Sequence, residues 1–397
     1  MTPPIHAVAD QEGVDPVHLS RQITEGRVVI LQRGDRAIGI GEGLRTKVNV
    51  NLGTSSVRIS LEEEIQKARI AETYGADTIS DLSMGGNITE IRQEILRHTT
   101  LPITTVPIYQ TAVEVGLRTM KSEDLLATIR NQVNQGVSSL VIHCVNRPML
   151  ELLKEKKRLL GVVSKGGSIT SAYMLLHQCE NPFLEQFGEL LCILKRHDIV
   201  LSLGNTARSG CILDEWDAVQ EEELQLNVQL AHQAHQAGVQ VIIEGGGGHI
   251  HYNRIAESMR RYKRASPFPL FVAGPLPIDV GLGYDHIAGC AGASAASAAG
   301  ADYLCAITPS EHLGLPSIDH VREGLIAFRI AAHIGDLVKF GKDRADREMA
   351  IHRANVYREG QFRLAFDEAR AREIAGKEED CTMCGEYCAI KLMRDLL

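Results

Sequence analysis

The stretch Asp124-Leu-Leu-Ala-Thr-Ile-Arg-Asn-Gln-Val-Asn-Gln135, followed by Gly136-Val-Ser-Ser139-Leu-Val-Ile-His143, decides the fold. Its first part places Leu125, Leu126, Ile129 and Val133 on one face of a helix. A glycine breaks that spacing, and Ser139 to His143 reads as a short buried strand. The same alternation extends in both directions. Candidate strands are Thr46 to Asn51, Thr78 to Leu82, Ile103 to Ile108, Ser139 to His143, Gly161 to Ser164, Ile199 to Leu203, Gln240 to Glu244, Leu270 to Ala273 and Tyr303 to Ala306. Candidate helices include Leu61 to Tyr74, Ile88 to Arg97, Asp124 to Gln135, Phe183 to His197 and Glu221 to Ala237. Repeated units of this kind with near-continuous apolar strands imply a parallel sheet covered on both faces. An α/β fold closed as a (β/α)8 barrel of the TIM type is expected, with one of the nine candidate strands in excess.

Around the barrel, assigned to residues 46–315, the chain changes character. Residues 1–45 read as a small irregular α/β lead-in, and 316–375 as a helical extension, with helical pattern over Ser317 to Phe340 and Arg344 to Ala371. Residues 376–397 read as an arm that opens on the solvated run Lys377-Glu378-Glu379-Asp380. The chain has 397 residues, 44% hydrophobic and 23% charged, enough to bury a large core. A net charge of -8 without a basic stripe speaks against a nucleic-acid partner and for a small-molecule substrate. The absence of an apolar run of roughly 18 residues, and a start that lacks signal-peptide character, lead us to expect a cytoplasmic protein without a membrane partner. Nine cysteines, an odd number, argue against a disulfide framework.

In a parallel barrel the chemistry gathers where strands end. Those ends offer Asn51, Ser80, Asp81, Tyr109, His143, Ser164-Lys165-Gly166-Gly167, Asn205 with Arg208, Glu244, His249 and His312. Ser164 to Ser168 and Arg208 to Gly210 combine a cation with exposed backbone N–H groups, which suits a phosphate. In Glu244-Gly-Gly-Gly-Gly-His249 the glycines leave the backbone free for positive φ or close approach to a ligand. His249 and His312 are candidate ligands of a shared divalent metal, with His251 a competitor for the first role. The tail Cys381-Thr-Met-Cys384-Gly-Glu-Tyr-Cys388 is the most specific feature. Thiolates suit zinc or an iron-sulfur cluster, and three on a four-iron cluster leave one iron open for S-adenosylmethionine.

The chain resembles the ThiC family of radical S-adenosylmethionine enzymes. The resemblance is carried by Lys47-Val-Asn-Val-Asn51-Leu-Gly, Asp81-Leu-Ser, Thr105-Val-Pro-Ile-Tyr109, Gly283-Tyr-Asp-His286-Ile, Thr308-Pro-Ser-Glu-His312-Leu-Gly-Leu-Pro and the cysteine tail. It implies a homodimer, a [4Fe-4S] cluster on Cys381, Cys384 and Cys388, S-adenosyl-L-methionine as cofactor, and an electron donor such as flavodoxin or ferredoxin. It also implies that the cluster-bearing arm closes over an active site. The implied substrate is aminoimidazole ribotide, and a divalent metal, zinc or iron, falls on His249 and His312. Implied substrate contacts fall on Asn51, Ser80, Tyr109, His143, Ser164, Lys165, Gly166, Asn205, Thr206, Ala207, Arg208, Glu244 and Phe271. Within this set Glu244 and Tyr109 are expected to hold ribose and imidazole, and Ser164, Lys165 and Arg208 the phosphate.

Family members of the thiamin pathway usually carry Met where this chain has Ser80, Arg for Lys165, Asp-Gly-Leu-Arg for Asn205 to Arg208, Tyr for Phe271, and a glycine run one residue shorter. These departures point to a radical lyase that makes 5-hydroxybenzimidazole for the lower ligand of cobamides. The alternative is a phosphomethylpyrimidine synthase making hydroxymethylpyrimidine phosphate for thiamin.

Overall fold

A computed structural model describes residues 2–341, 343–377 and 381–396. Residues Glu378, Glu379 and Asp380 of the acidic run at the start of the arm lie outside the described residues. The chain forms two compact units, Met1–Gly335 and Asp336–Leu397.

The first unit opens with helices Pro3–Glu12 and Pro16–Thr24, then the antiparallel hairpin β1 (Val28–Arg33) and β2 (Arg36–Gly41). Eight parallel strands follow: β3 (Lys47–Leu52), β4 (Thr78–Asp81), β5 (Ile103–Thr105), β6 (Ser139–Ile142), β7 (Val200–Leu203), β8 (Val241–Glu244), β9 (Leu270–Ala273) and β10 (Tyr303–Cys305). They pair in chain order and β10 returns to β3, closing the expected TIM-type (β/α)8 barrel.

The strand in excess is Gly161 to Ser164, which lies in the connection after β6. Gly161 has φ +62°, and Ser164 is the N-cap of helix Lys165–His177, its Oγ accepting from Gly167 N at 3.2 Å. A β-branched pair between a left-handed glycine and a cap has no length left to join a sheet. The strand expected over Ile103 to Ile108 stops at Thr105, because Pro107 opens helix Pro107–Thr111.

Side chains alternate along the strands. Those facing outward, such as Val48, Val50, Ile79, Leu140, Leu201, Val241 and Leu304, pack beneath the helices in one continuous core. Inside, the barrel is largely polar. Asn49, fully buried on β3, accepts at Oδ1 from Thr78 Oγ1 (3.0 Å), Ser80 Oγ (3.1 Å) and Tyr303 Oη (3.4 Å), and donates from Nδ2 to Asn51 Oδ1 at 2.9 Å. One amide thus ties β10, β3 and β4 together across the closure.

The lead-in plugs the N-terminal mouth. Val29, Leu31, Ile38 and Ile40 of the hairpin pack against Val200, Ile242, Phe271, Tyr303 and Cys305. Ile30 N donates to Gln240 Oε1 at 2.8 Å and Ser138 Oγ to Gln32 O at 3.0 Å, which fixes the hairpin to the starts of β8 and β6. The C-terminal mouth is left open to a ligand. Val321, Leu325, Phe328, Ala331 and Ala332, on helix Ile318–Phe340, join the barrel core.

In the second unit the long helix expected over Arg344 to Ala371 is broken into Arg344–Ala354, Arg358–Leu364 and Glu368–Ala375. Val356, at φ +54°, turns the chain between the first two. Arg372 binds both oxygens of Glu359, at 2.8 and 2.6 Å, and so fastens the last two. Among the described residues no helix is long and apolar enough to cross a membrane.

Replacing Asn49 by Ala strands the Ser80 hydroxyl in a buried interior, takes the donor from Asn51 Oδ1, and leaves the hydroxyls of Thr78 and Tyr303 with each other in place of a shared acceptor. At about 1 kcal/mol or more for each unsatisfied group, N49A is expected to lower unfolding stability by about 2–4 kcal/mol in urea denaturation.

Candidate functional site

A cavity of 480 Å³ occupies the C-terminal mouth. Its wall brings together eleven of the expected residues: Asn51, Ser80, Tyr109, His143, Lys165, Asn205, Arg208, Glu244 and Phe271, with His249 and His312. Ser164, Gly166, Thr206 and Ala207 do not reach the wall. A wider groove of 1130 Å³ beside the hairpin tip, at the opposite end of the strands, holds none of the expected residues. His251 is exposed and off the cavity wall, whereas His249 lines it.

The turn Ser164 to Ser168 does not offer its first N–H groups to an anion, and neither does the backbone just before the candidate Arg208 to Gly210. Gly166 N–H goes to the Tyr109 hydroxyl, and Gly167 N–H to Ser164 Oγ. Thr206 N and Ala207 N both end on the carboxylate of Glu223, the latter at 3.1 Å. The cations on the wall are therefore what faces a ligand's charge: the Arg208 guanidinium and Lys165 Nζ, which sits 5.4 Å from the centre of the Tyr109 ring. Burial, with the charge of Arg208, lowers the pKa of Lys165, while Glu311 acts the other way.

The His143 ring is wedged between two glycine backbones. A methyl at Gly166 would fall 2.2 Å from its Cε1, and one at Gly204 would fall 2.9 Å from its Cδ2. Burial, reinforced by the charge of Arg208, pushes the imidazole down to about 3, so it is neutral at working pH, and its buried Nδ1 has no partner among the described residues. Burial also pushes the Tyr109 phenol up to about 12. Glu244 is raised by burial, against hydrogen bonds from Ser202 Oγ (2.8 Å) and the Asn205 N–H and the charge of Arg208.

The glycines after Glu244 serve the close approach they suggest, but to the protein itself. Gly246 and Gly248 take φ of +62° and +89°. A methyl at Gly245 would strike the Tyr262 ring at 2.0 Å, and one at Gly248 the carbonyl of Ser209 at 2.3 Å. This packing delivers His249 to the rim. Its Nδ1 meets Asp279 Oδ1 at 2.7 Å, and His312 Nδ1 meets Asp285 Oδ1 at 3.1 Å. Each carboxylate holds the ring proton on Nδ1, so the two Nε2 lone pairs face each other across 3.3 Å. Such a contact is repulsive unless a cation lies between, and a tetrahedral zinc with nitrogens at about 2.1 Å holds them about 3.4 Å apart. The donor set therefore fits a divalent metal, with its remaining positions open. Among the described residues no three His, Cys, Asp or Glu side chains already converge as ligands.

In the second unit, Cys381 and Cys384 are exposed and Cys388 is half-buried, in a turn followed by helix Ala389–Leu396. The Cys384 thiol lies within hydrogen-bonding reach of both others. The N–H groups of Lys391 and Ile390, in the first turn of that helix, lower the pKa of Cys388 and so favour its thiolate. Three neighbouring soft donors open to solvent fit an iron-sulfur cluster.

Asp279, Asp285, Glu223 and Glu311 carry none of the roles assigned from sequence. Asp285 and Glu311 lie inside quoted motifs and Glu223 inside a run of three glutamates. A trace of Glu223 is present in the pattern: it stands four residues after Val219 and four before Asn227, on the buried face of helix Ala218–Gln236.

Known proteins add the family. The model of the radical SAM ThiC family matches residues 1–395. The phosphomethylpyrimidine synthase of Methanopyrus kandleri is 42% identical over 99% of this chain and 96% of its own length. That of Dehalococcoides mccartyi is 43% identical over 99% and 95%, and that of Methanocaldococcus jannaschii 43% over 100% and 97%. Among solved structures, dihydropteroate synthase from Thermus thermophilus covers 78% of this chain and is itself covered in full, at TM-score 0.45 and 14% identity. The relatives' names overturn the expectation of a benzimidazole-forming lyase of cobamide synthesis and favour the alternative. Three of the departures that suggested it are engaged with the protein: Ser80 Oγ with Asn49, Asn205 Nδ2 with Glu223, and Phe271 stacked on Tyr303 at 4.0 Å. Side chains bound in this way are poor witnesses to a changed product. With its barrel, its cavity and its cysteine tail, the chain belongs to the radical SAM ThiC family of enzymes.

Proposed function

We propose that this chain is a phosphomethylpyrimidine synthase, converting aminoimidazole ribotide to hydroxymethylpyrimidine phosphate with S-adenosyl-L-methionine and a [4Fe-4S] cluster. The observation that carries the reading is similarity at 42–43% identity over essentially the whole chain to proteins of that name. When bound, the cluster on Cys381, Cys384 and Cys388 and its S-adenosylmethionine supply the radical that starts the rearrangement. A flavodoxin or ferredoxin as electron donor and a homodimer belong to the same proposal.

The residues of the cavity take roles their environments allow. Lys165 and Arg208 neutralise the phosphate of the ribotide at the end of the cavity they share. His143, neutral and wedged between glycines, acts as a fixed hydrogen-bonding ring and not as a proton donor. Tyr109 offers a protonated hydroxyl, while Glu244, raised by burial, is the group best suited to hold a proton at its carboxyl oxygen as the substrate changes charge. Asn51 and Asn205 orient the heterocycle or ribose. His249 and His312 hold a divalent metal, zinc or iron, that positions a ligand atom at the rim.

The reading is tested by anaerobic incubation of the reconstituted protein with reductant, S-adenosylmethionine and aminoimidazole ribotide, followed by mass analysis. Hydroxymethylpyrimidine phosphate is expected; 5-hydroxybenzimidazole, or unconsumed ribotide, overturns it. Asp279→Asn weakens the hold on the Nδ1 proton of His249 and should lower zinc affinity by about 10–100-fold in a competition titration. Gly166→Ala pushes the His143 ring aside, and KM for the ribotide should rise by about tenfold while iron and sulfide content stay unchanged.

A further inference from the structure

Asn205 stands just past β7, on the cavity wall, with almost every hydrogen-bonding atom assigned. Its main-chain N–H goes to Glu244 and its carbonyl oxygen accepts from Arg208 Nη1 at 3.3 Å. Its side-chain Nδ2 donates to Glu223 Oε2 at 2.6 Å. Only the carbonyl Oδ1 is left for the cavity. An asparagine amide turned by half a rotation exchanges oxygen for nitrogen at little steric cost, so something must fix its sense.

Glu223 supplies that. It is 1% exposed, and among the described residues the donors that meet its carboxylate come from this loop: Asn205 Nδ2, Thr206 N, and Ala207 N at 3.1 Å. On the far face of the loop Arg158 donates to Ala207 O at 2.9 Å and is itself held by Asp217, through contacts of 2.7 and 2.8 Å. The loop backbone is clamped from both sides, and the turned amide of Asn205 would set oxygen against carboxylate oxygen.

We infer that Asn205 and Glu223 form a matched amide-carboxylate pair, in which Glu223 is a positioning residue that makes Asn205 present a hydrogen-bond acceptor to the substrate. The substrate group it meets is an N–H or O–H donor, such as the amine of an aminoimidazole or a ribose hydroxyl. This deepens the reading of the cavity as the ribotide site and rests on it. Glu223→Gln keeps shape but brings an NH2 toward Asn205, turns its amide, and offers the substrate a donor in place of the acceptor. Asn205→Asp alone opposes two carboxylates. Together the two changes restore a donor-acceptor match between the two side chains, with the introduced amide donating to the introduced carboxylate, and return an acceptor oxygen to the cavity, while the Ala207 N–H is left facing the introduced amide.

The test is a double-mutant cycle of E223Q, N205D and N205D/E223Q, read by unfolding midpoint and by KM and kcat for the ribotide. Assays run at pH 8, where Glu223, pushed up to about 7 by burial, is ionised. We expect E223Q to raise KM about tenfold with kcat changed less than about twofold, the loss of one substrate hydrogen bond. N205D should lower the midpoint, and the double variant should recover KM to within about threefold of the parent and regain part of the lost midpoint, short of full recovery because the Ala207 N–H no longer meets a carboxylate oxygen. A double variant no better than the two singles, or E223Q with unchanged KM, overturns the inference. Should the parent protein leave the ribotide unconsumed, the functional reading fails instead, and the midpoints alone decide the pair: additive losses reject it, recovery upholds it.

Discussion

Asn49 sits at the one place where a closed barrel cannot be improvised, the seam at which its last strand returns to its first. Its side chain receives hydroxyls from β4 and β10 while donating along β3 to Asn51, and all of this happens out of contact with water. Each such bond contributes about 1 kcal/mol net, but a broken one leaves a buried polar group whose desolvation is not offset. The network therefore selects one register for the closure more than it adds stability. It also forms the floor of the cavity, since Ser80 and Asn51 line the wall directly above it.

The same arrangement recurs around the rim: a side chain that faces the cavity is held from behind by a buried or half-buried acid. Asp279 and Asp285 orient the two histidines, and Glu223 orients Asn205 and the N–H groups beside it. The effect is to fix protonation and direction before any ligand arrives, so that little reorganisation is left for the bound state. Charge is divided accordingly. Cationic Lys165 and Arg208 face the cavity, whereas the half-buried Glu244 in its wall has a raised pKa and His143 is kept neutral.

The cysteine-bearing unit follows a different rule. Its thiols are exposed or half-buried, and the helix that follows Cys388 leaves Ile390, Leu392 and Met393 partly open to solvent. Local ion pairs such as Arg372 with Glu359 order its helices, in place of a deep core. Ligation of an inorganic centre needs reachable soft donors more than a rigid enclosure.

Much of this was legible in the chain itself. Alternation of β-branched runs with amphipathic stretches fixes a parallel barrel, because only burial on both faces tolerates such strands. Close spacing makes Cys381, Cys384 and Cys388 a unit whatever the fold does, and strand ends announce Asn51, Tyr109, His143, Glu244 and the two histidines. Pattern alone did not tell the eight true strands from Gly161 to Ser164, since a cap and a left-handed glycine look like strand ends. Nor did it reveal that the turns after β6 and β7 direct their N–H groups to Tyr109, Ser164 and Glu223 and away from a ligand. The acids behind the site were invisible for the same reason. Residues 205 and 223, or 249 and 279, meet only when the barrel brings distant segments together, and hydrogen-bond direction is a property of that meeting and not of residue type.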